Sequence, residues 1–327
     1  MLILRKQNLY LMIKSEWRVI VSRMSGAGKA LNDWPNIAKY LEDAGVSFSA
    51  KITDHAYHAI ELAAEAVKEG YRKLLVIGGD GALHEVLNGI FSQEEVSPSE
   101  VTLGLIPVGS GNDWSRMHDI PMKYRQAVAV IAESDKYTIN QDVCRVSTIM
   151  DGKPYCRYMI NIGGLGFDSD VCRRFDIAKS KGNAGDKQYL KSLISGFLTY
   201  KCLPFTVAVD GQTFFDGKAF SVAFGIGKYC GGGMMQTPEA IPDDGLLDVT
   251  VVKDLSKAKF LSKVPALFDG SVYNYEEVIH TRGIHIEIDA RPYSFIEVDG
   301  EVIGRTPVTL DMIPSAIKVV SRWKPEV

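Results

Sequence analysis

The stretch LLVIGGDGALHEVLNG, residues 74–89, decides the fold of the N-terminal part of the chain. An apolar run leads directly into Gly-Gly-Asp-Gly, and a helical pattern of apolar residues follows. Apolar runs without alternation are typical of strands that are buried on both faces of a parallel sheet. The stretch therefore predicts a buried strand over 73–79, a glycine turn that contains Asp80, and a helix over 82–91.

Strand and helix patterns alternate on both sides of this stretch. Strands are predicted at 17–23, 46–53 and 101–107, and helices at 31–45 and 55–70, each helix closed by a glycine. Such alternation requires right-handed crossovers and gives a parallel sheet with helices on both faces. We therefore predict an α/β N-terminal domain.

The pattern changes after about residue 140, where short strand-like runs are separated by Gly, Asp and Pro. Asp-Gly pairs at 210–211 and 299–300 indicate hairpins. Many short strands with turn residues between them are typical of a sandwich. The second half of the chain therefore predicts an all-β sandwich-like C-terminal domain.

The domain boundaries are placed by this change of pattern. The sandwich-like domain is expected over 141–307, interrupted by one helix around 186–200. The last strand-like run, AIKVVSRW, is expected to return to the first domain. The α/β domain would then comprise residues 1–140 and 308–327.

The composition limits the classes of function. The 327 residues are 46% hydrophobic and 24% charged, with a formal net charge of -3, which argues against a broad nucleic-acid surface. Five cysteines without paired spacing indicate reduced thiols. No uninterrupted apolar run approaches the roughly 18 residues of a membrane span, and the charged N-terminus is a poor signal peptide. These features predict a cytoplasmic protein.

Asp80 has two interpretations on residues alone. Glycines at the end of a parallel strand let phosphate oxygens approach backbone N–H groups at a helix N-terminus. A carboxylate in that turn would repel phosphate unless a cation lies between them, which indicates a Mg²⁺-nucleotide site. Alternatively, Asp80 only caps the helix that follows.

A second turn rich in glycine and hydroxyl groups, GSGNDW at 109–114, directly follows the strand at 101–107. Ligands of open α/β sheets bind beyond the carboxyl ends of the strands, so two such turns can face one crevice. SGAGK at 25–29 is not a P-loop, because Arg23 stands at the position of the first glycine and Ala30 at that of the hydroxyl. The two turns together favour a nucleotide site.

Five ordered blocks of sequence resemble the catalytic domain of the diacylglycerol kinase family, bacterial lipid kinases with sphingosine- and ceramide-kinase relatives. The blocks are GGDGALHEVLNG, IPVGSGNDWSR, NIGGLGFDSDV, PEAIPDDGLLDV and EVDGE. The resemblance spans about residues 17–323. It implies an NAD-kinase-like α/β domain followed by a β-sandwich that carries the lipid site.

The resemblance also implies which residues contact Mg-ATP. Asp80 would act with the turn glycines, and Ser110 stands where the family has a nucleotide-contacting Thr. Thr53 lies near a further Thr of the family. The complete implied set is Thr53, Gly78, Gly79, Asp80, Gly81, Ser110, Gly111 and Asn112. Two departures affect this site: Ala82 replaces a Thr, and SRMSG at 22–26 replaces Asn-Pro-x-Ser-Gly.

The implied residues of the second domain are a metal site and a proton acceptor. Asp244 matches a metal-site aspartate, with the backbone carbonyls of Ile241 and Leu246 completing the shell, although DDGLLD alone reads as a solvated acidic turn. Glu301 matches the proton acceptor, although on spacing alone it is a hairpin residue. As a base it would take the proton of a lipid hydroxyl during attack on the γ-phosphorus.

The resemblance implies an ATP- and Mg²⁺-dependent kinase for a lipid hydroxyl, with diacylglycerol as the expected acceptor. Six basic residues between 173 and 191 indicate either contact with an anionic membrane surface or a solvated helix face. An exposed edge strand could support a homodimer. The alternatives are an NAD kinase, which shares the Gly-Gly-Asp-Gly turn, and a non-catalytic binding relative.

Overall fold

The computed structural model describes residues 13–180 and 186–324, without the side chains of 179–180 and 186–190. The N-terminal extension before residue 13 and the centre of the basic stretch at 173–191 therefore lie outside the described residues, as does the end of the chain after residue 324.

The first part of the chain is a parallel sheet covered by helices. Its elements are β1 (Lys14–Val21), α1 (Lys29–Asp43), β2 (Phe48–Ile52), α2 (His58–Lys68), β3 (Tyr71–Gly78), α3 (Asp80–Ser92), β4 (Thr102–Pro107), α4 (Asp113–Met117), α5 (Tyr124–Ala132) and α6 (Ser134–Tyr137). The strands pair in the order β4-β3-β1-β2, and all three pairings are parallel. The predicted α/β class is confirmed.

The predicted helix stop at Gly45 is confirmed. Gly45 has a φ of 72°, and its N–H donates to the carbonyl of Glu42 while the N–H of Val46 donates to that of Leu41. This pattern satisfies the last carbonyls of α1 and needs a left-handed residue, which glycine adopts at little cost. The chain then turns directly into β2.

The second part of the chain is rich in antiparallel strands. Its elements are β5 (Thr138–Met150), β6 (Lys153–Met159), β7 (Ile162–Gly166), α7 (Phe167–Ser180), α8 (Asp186–Thr199), β8 (Leu203–Val209), β9 (Gln212–Gly225), β10 (Tyr229–Cys230), β11 (Met234–Met235), β12 (Leu247–Lys253), α9 (Lys257–Lys263), α10 (Ala266–Asp269), β13 (Val278–Gly283), β14 (His285–Ala290), β15 (Phe295–Val298) and β16 (Glu301–Val320). Strands β9-β7-β15-β16-β14-β8 pair in a closed circuit that returns to β9. This circuit encloses a second apolar core.

The predicted Asp-Gly hairpins are confirmed. Asp210 and Gly211 join β8 to β9, Asp299 and Gly300 join β15 to β16, and all four residues have positive φ. Two central residues with positive φ are the mark of the type I′ turn, whose twist matches that of the flanking strands. The second of these hairpins lies at the candidate site.

The prediction of one helix in the C-terminal domain is wrong. Besides α8, the structure has α7 and the short helices α9 and α10. In α7, Phe167, Val171 and Phe175 recur every four residues, but four of the six positions between them are charged. The apolar stripe was therefore too narrow to stand out from the charged sequence around it.

Strands β5 and β16 connect the two parts of the molecule. They pair antiparallel from Thr138 with Val320 to Ile149 with Arg305, and Lys318 and Val319 of β16 also pair in parallel with β4. A cut at residue 140 or 308 would pass through one of these strands. The exact domain boundary therefore stays a prediction.

Three strands of the large sheet lie at its edges within the described part of the chain, and the first of them is β2, which pairs only with β1. Strand β6 pairs only with β5, and β13 pairs only with β12. The homodimer stays a prediction. Within residues 13–180 and 186–324, no helix combines the length and the apolar character that crossing a bilayer requires.

Helices α2 and α3 pack closely because α3 carries Gly89 at their contact. A Cβ at Gly89 would lie 2.3 Å from the carbonyl oxygen of Ile60 and 2.7 Å from the Cβ of Ala63. The carbonyl oxygen of Ile60 belongs to the helix backbone, so it cannot move away by a change of side-chain rotamer. The position of α3, and thus of the turn before it, depends on this contact.

We predict that Gly89→Ala destabilises the protein by about 1–3 kcal/mol, the usual cost of overpacking a core. The matched control is Gly81→Ala in the same helix, where an added Cβ meets no atom within 4 Å. Urea denaturation followed by circular dichroism measures both variants. Equal stability of the two variants would contradict the packing argument.

Candidate active site

Three turns meet at the carboxyl edge of the parallel sheet. They follow β1, β3 and β4, which are neighbours in the sheet. Val108 N donates to Gly78 O at 2.6 Å, and Ser22 N donates to Ile77 O at 3.0 Å. A Cβ on Gly109 would lie only 3.0 Å from the Cα of Gly79, so the two glycine-rich turns touch backbone to backbone. The expected convergence of 78–81 and 109–112 is present.

The Asp80 carboxylate binds the start of α4. Its Oδ2 accepts the N–H of Asp113 and its Oδ1 accepts that of Trp114, both at 3.1 Å. Burial and the negative charge of Asp113 raise the pKa of Asp80 to about 6, against the two backbone hydrogen bonds that lower it. Asp80 thus caps a helix, although α4 rather than the α3 that the sequence suggested.

Asp113 forms the other half of a carboxylate pair. It is buried, accepts the N–H of Gly232 at 2.8 Å, and pairs with Arg116 at 2.8 Å. Burial raises the pKa of Asp113 as well. A Cβ on Gly111 would be 3.2 Å from Asp80 Oδ2 and 3.3 Å from Asp113 Oδ2, so both carboxylates flank this glycine.

The turn at 109–112 is closed by its own asparagine. Asn112 has a φ of 52°, and its Nδ2 donates to Gly109 O at 2.6 Å. Its Oδ1 is buried and accepts no hydrogen bond from the described residues. A buried amide oxygen without a hydrogen bond is costly, and two crowded carboxylates repel each other. These oxygens are ligands that a hard divalent cation accepts. The residues present therefore fit Mg²⁺ at this edge.

Thr53 and Gly78 lie behind this edge. Thr53 is buried after β2, and its hydroxyl accepts the N–H of Arg23 at 2.9 Å. A Cβ at Gly78 would meet the Cβ of Ala82 at 2.7 Å and Ser25 Oγ at 3.1 Å. Gly78 thus makes room for the turn after β1, while Ser110 is exposed beside it.

Glu301 faces α3 across the domain junction. Its Oε2 lies 4.0 Å from His84 Nε2, and its negative charge is the main cause that raises the pKa of Tyr57. The preceding residues Asp299 and Gly300 line the large cavity described below. Glu301 is therefore one residue beyond the described cavity wall.

The loop predicted to hold a second metal is separate from Asp80. Asp244 pairs with Arg282 at 2.7 Å, and its Oδ1 accepts the N–H of Leu246 at 3.0 Å. Among the described residues that line the cavity, Asp244, Ile241 and Leu246 are absent. The structure does not bring this loop together with the glycine turns.

A cavity of about 2300 Å³ joins the two parts of the molecule. Its polar end contains both carboxylates and two cations near the turns, namely Asp80, Asp113, Lys29 and Arg116. Lys29 donates to the hydroxyl of Tyr124 at 2.6 Å and pairs with Asp33. Hydrogen bonds to these two partners raise the pKa of Lys29.

The other end of the cavity is apolar. Helices α7, α8 and α9 and strands β9 and β12 contribute aromatic and aliphatic side chains. They include Phe167, Val171, Phe175, Leu193, Phe197, Phe220, Val252, Phe260 and Val264. Phe167, Phe197, Phe220 and Phe260 pack with ring centroids 4.4–6.2 Å apart. A chamber of this kind accepts hydrocarbon chains.

Sequence reasoning missed three parts of this site. Asp113 is part of the GSGNDW motif, yet only the structure shows that it pairs with Asp80. His84 was expected only to pack or to face water, whereas the structure buries it against Asp299. The apolar chamber left no single motif, because its side chains come from five elements spread along the second half of the chain.

Comparison with known proteins matches both parts of the chain to family models. Residues 16–146 match the model described as diacylglycerol kinase catalytic domain. Residues 162–321 match the model described as YegS C-terminal NAD kinase beta sandwich-like domain. Together they cover most of the described fold, including the three turns and the β15–β16 hairpin.

Individual relatives agree with these models along the whole chain. A Mycobacterium tuberculosis protein named "Diacylglycerol kinase" is 28% identical over 301 residues, covering 92% of this chain and 93% of its own length. A Stenotrophomonas maltophilia protein named "Probable lipid kinase YegS-like" is 27% identical over 311 residues, covering 94% and 96%. A crystal structure of a diacylglycerol kinase candidate from Bacillus anthracis superposes with a TM-score of 0.76 at 25% identity, covering 97% and 98%.

We predict that Asp113→Asn lowers the pKa of Asp80 from about 6, because it removes the neighbouring negative charge. Burial remains, so the pKa should stay above the ordinary value of 3.8. Carboxyl ¹³C NMR during a pH titration without nucleotide or Mg²⁺ measures this change. Asp243→Asn, in the separate acidic loop, is the control. An unchanged Asp80 titration in Asp113→Asn would refute the coupling.

Proposed function

Because the chain belongs to the diacylglycerol kinase catalytic-domain family and is a lipid kinase, we propose that it transfers the γ-phosphate of ATP to the free hydroxyl of diacylglycerol. Phosphatidic acid and ADP are the products. The reaction requires Mg²⁺ and takes place in the cytoplasm, with the enzyme transiently at the membrane surface.

The observation that carries this proposal is the two-ended cavity. One end has glycine turns, two carboxylates and two cations, which suit a Mg-nucleotide, and the other end is a hydrocarbon chamber. A lipid alcohol spans these two environments, with its chains in the chamber and its hydroxyl near the turns. A dinucleotide such as NAD has no hydrocarbon chain that would fill this chamber.

At the nucleotide end, the chain binds and orients phosphates. Backbone N–H groups of the turns at 78–81 and 109–112 bind phosphate oxygens, with Ser110 and Thr53 as further nucleotide contacts. Asp80, supported by Asp113, would hold Mg²⁺, and the ion would supply charge neutralisation for the phosphates. The cavity-lining cations Lys29 and Arg116 add positive charge.

At the acceptor end, Glu301 accepts the proton of the lipid hydroxyl. The oxygen–phosphorus bond forms as the bond to the ADP oxygen breaks, and the hydroxyl proton moves to the Glu301 carboxylate. Its position beside the cavity-lining residues Asp299 and Gly300 supports this role. A free alcohol is too weakly acidic to ionise first, so proton transfer accompanies attack.

The Asp244 loop is proposed as a second, structural Mg²⁺ site. Asp244 would offer a carboxylate oxygen, and Ile241 and Leu246 would offer carbonyl oxygens, which are ligands that Mg²⁺ accepts. In the structure Arg282 neutralises Asp244, and the Asp142 carboxylate accepts the N–H of Gly245 at 2.6 Å. Because the described residues of this loop do not line the cavity, the proposed ion would support the fold and not the phosphoryl transfer.

The membrane contact is proposed at an apolar rim around the mouth of the chamber. The rim consists of Ile194, Leu198 and Leu261, which line the cavity and are also 53%, 63% and 57% exposed. Lys257 from α9 donates to the carbonyl of Leu198, which places a cation beside the rim. Exposed aliphatic side chains next to a cation suit the interface of an anionic bilayer.

We predict that the purified protein with Mg-ATP labels diacylglycerol in mixed micelles and leaves NAD unlabelled. Transfer of ³²P from γ-labelled ATP, followed by thin-layer chromatography, measures this, and EDTA should abolish it. Labelled NAD would support an NAD kinase instead. Labelling of only sphingoid bases or ceramide would keep the kinase and refute diacylglycerol as the acceptor.

Glu301→Gln should reduce turnover in this assay by ~10²–10⁴, the usual contribution of a general base, with nucleotide affinity retained. Glu287→Gln is the matched control, because Glu287 is an exposed strand glutamate on β14 outside the cavity. Equal turnover of the two variants would remove Glu301 from its proposed role.

We predict that Leu198→Glu with Leu261→Glu weakens binding to anionic vesicles by at least about tenfold, since each buried leucine contributes about 1.5–3 kcal/mol. Sedimentation with phosphatidylglycerol-containing vesicles measures this without nucleotide. Ile284→Glu is the control, because Ile284 is 55% exposed in the turn before β14. Equal losses in both proteins would mean that the rim is not the contact surface.

A further inference from the structure

His84 is a buried imidazole at the junction of the two domains. It belongs to the second turn of α3, and its side chain is 1% exposed. Its Nδ1 lies 2.8 Å from Asp299 Oδ2 in the β15–β16 hairpin. That carboxylate also accepts the backbone N–H groups of Ile160, Asn161 and Ile162 at 3.0–3.2 Å. Asp299 is therefore held rigidly, and it holds His84 in turn.

The other ring nitrogen of His84 faces Glu301. Asn88 Nδ2 is 3.3 Å from Nε2, but it also donates to His84 O at 2.9 Å and to Tyr158 O at 3.0 Å. An amide has two hydrogens, and these two shorter bonds use both of them. The acceptor left for a proton on Nε2 is Glu301 Oε2 at 4.0 Å, close enough for a small rotation to complete the bond.

The charges around His84 favour an imidazolium. Burial opposes the charge, but the hydrogen bond to Asp299 and the negative charges of Asp299 and Glu301 outweigh it and raise the pKa of His84, while Arg157 acts against them. His84 is then protonated at pH values where a free histidine is neutral. The attraction between the charged imidazolium and the carboxylates of Asp299 and Glu301 is lost only as the pH rises through the raised pKa of His84.

We propose that His84 is a positioning residue which, as an imidazolium, bridges Asp299 and Glu301 and fixes the Glu301 carboxylate beside the cavity-lining residues Asp299 and Gly300. This inference rests on the proposed role of Glu301. The rigid Asp299 anchors the imidazolium, and the imidazolium directs the half-exposed glutamate. Since Asp299 and Gly300 line the cavity, this bridge connects the α3 helix after the nucleotide turn to the site of proton acceptance.

The experiment combines kinetics with ¹⁵N-histidine NMR. We expect His84→Gln to lower kcat by up to about a hundredfold through loss of position, with KM for ATP little changed. The alkaline limb of the wild-type kcat profile, where His84 loses its proton, should disappear in this variant. In the NMR spectrum of the wild type near pH 7, both ring nitrogens of His84 should be protonated, and Glu301→Gln should lower the pKa of His84.

The matched control is His285→Gln, because His285 makes a similar contact with Asp311 at 2.7 Å away from the cavity. It should leave kcat and its pH profile unchanged. A neutral His84 near pH 7 would overturn the proposal, and so would a pKa of His84 that is the same in Glu301→Gln as in the wild type. Both results can be obtained even if His84→Gln does not fold. A wild-type protein that labels no lipid would refute the proposed function, while the NMR result would still decide the bridge.

Discussion

The carboxylate of Asp299 is the constraint on which the rest of this structure depends. It collects three backbone N–H groups from residues 160–162 and a ring nitrogen of His84, all within 3.2 Å. In a dry interior, an unpaired carboxylate would be costly, whereas a fully paired one fixes every donor that contacts it. The start of β7, the β15–β16 hairpin and helix α3 are thereby held in one arrangement. The two-ended cavity exists because this arrangement brings a glycine turn and a β-domain together.

Acidic side chains accumulate around this cavity. Asp80, Asp113, Asp168 and Glu297 line it, and burial raises the pKa of each. Such a site is poorly satisfied without cations, and the folded protein keeps the strain because its backbone N–H groups hold the carboxylates in place. Under the proposed function, a Mg-nucleotide would relieve part of this repulsion at the Asp80 end.

The relation of sequence to site differs from residue to residue. Asp80 and the turn at 109–112 were predictable, because glycines at the ends of buried parallel strands can only face one edge of the sheet. The pairing of Asp113 with Asp80 was not predictable, because it arises from the backbone contact between Gly79 and Gly109. His84 was interpreted as a packing or solvent-facing residue, since nothing local shows that a hairpin more than two hundred residues later covers it.

The sequence by itself determined the α/β class, the β-rich second half, the helix stop at Gly45 and the Asp-Gly hairpins. These follow from local periodicity and from backbone dihedrals that few residues adopt. Only the tertiary structure decided which carboxylates meet, where the chamber opens, and that Asp244 lies apart from the glycine turns. Those outcomes depend on contacts between elements distant along the chain, and local sequence carries no record of them.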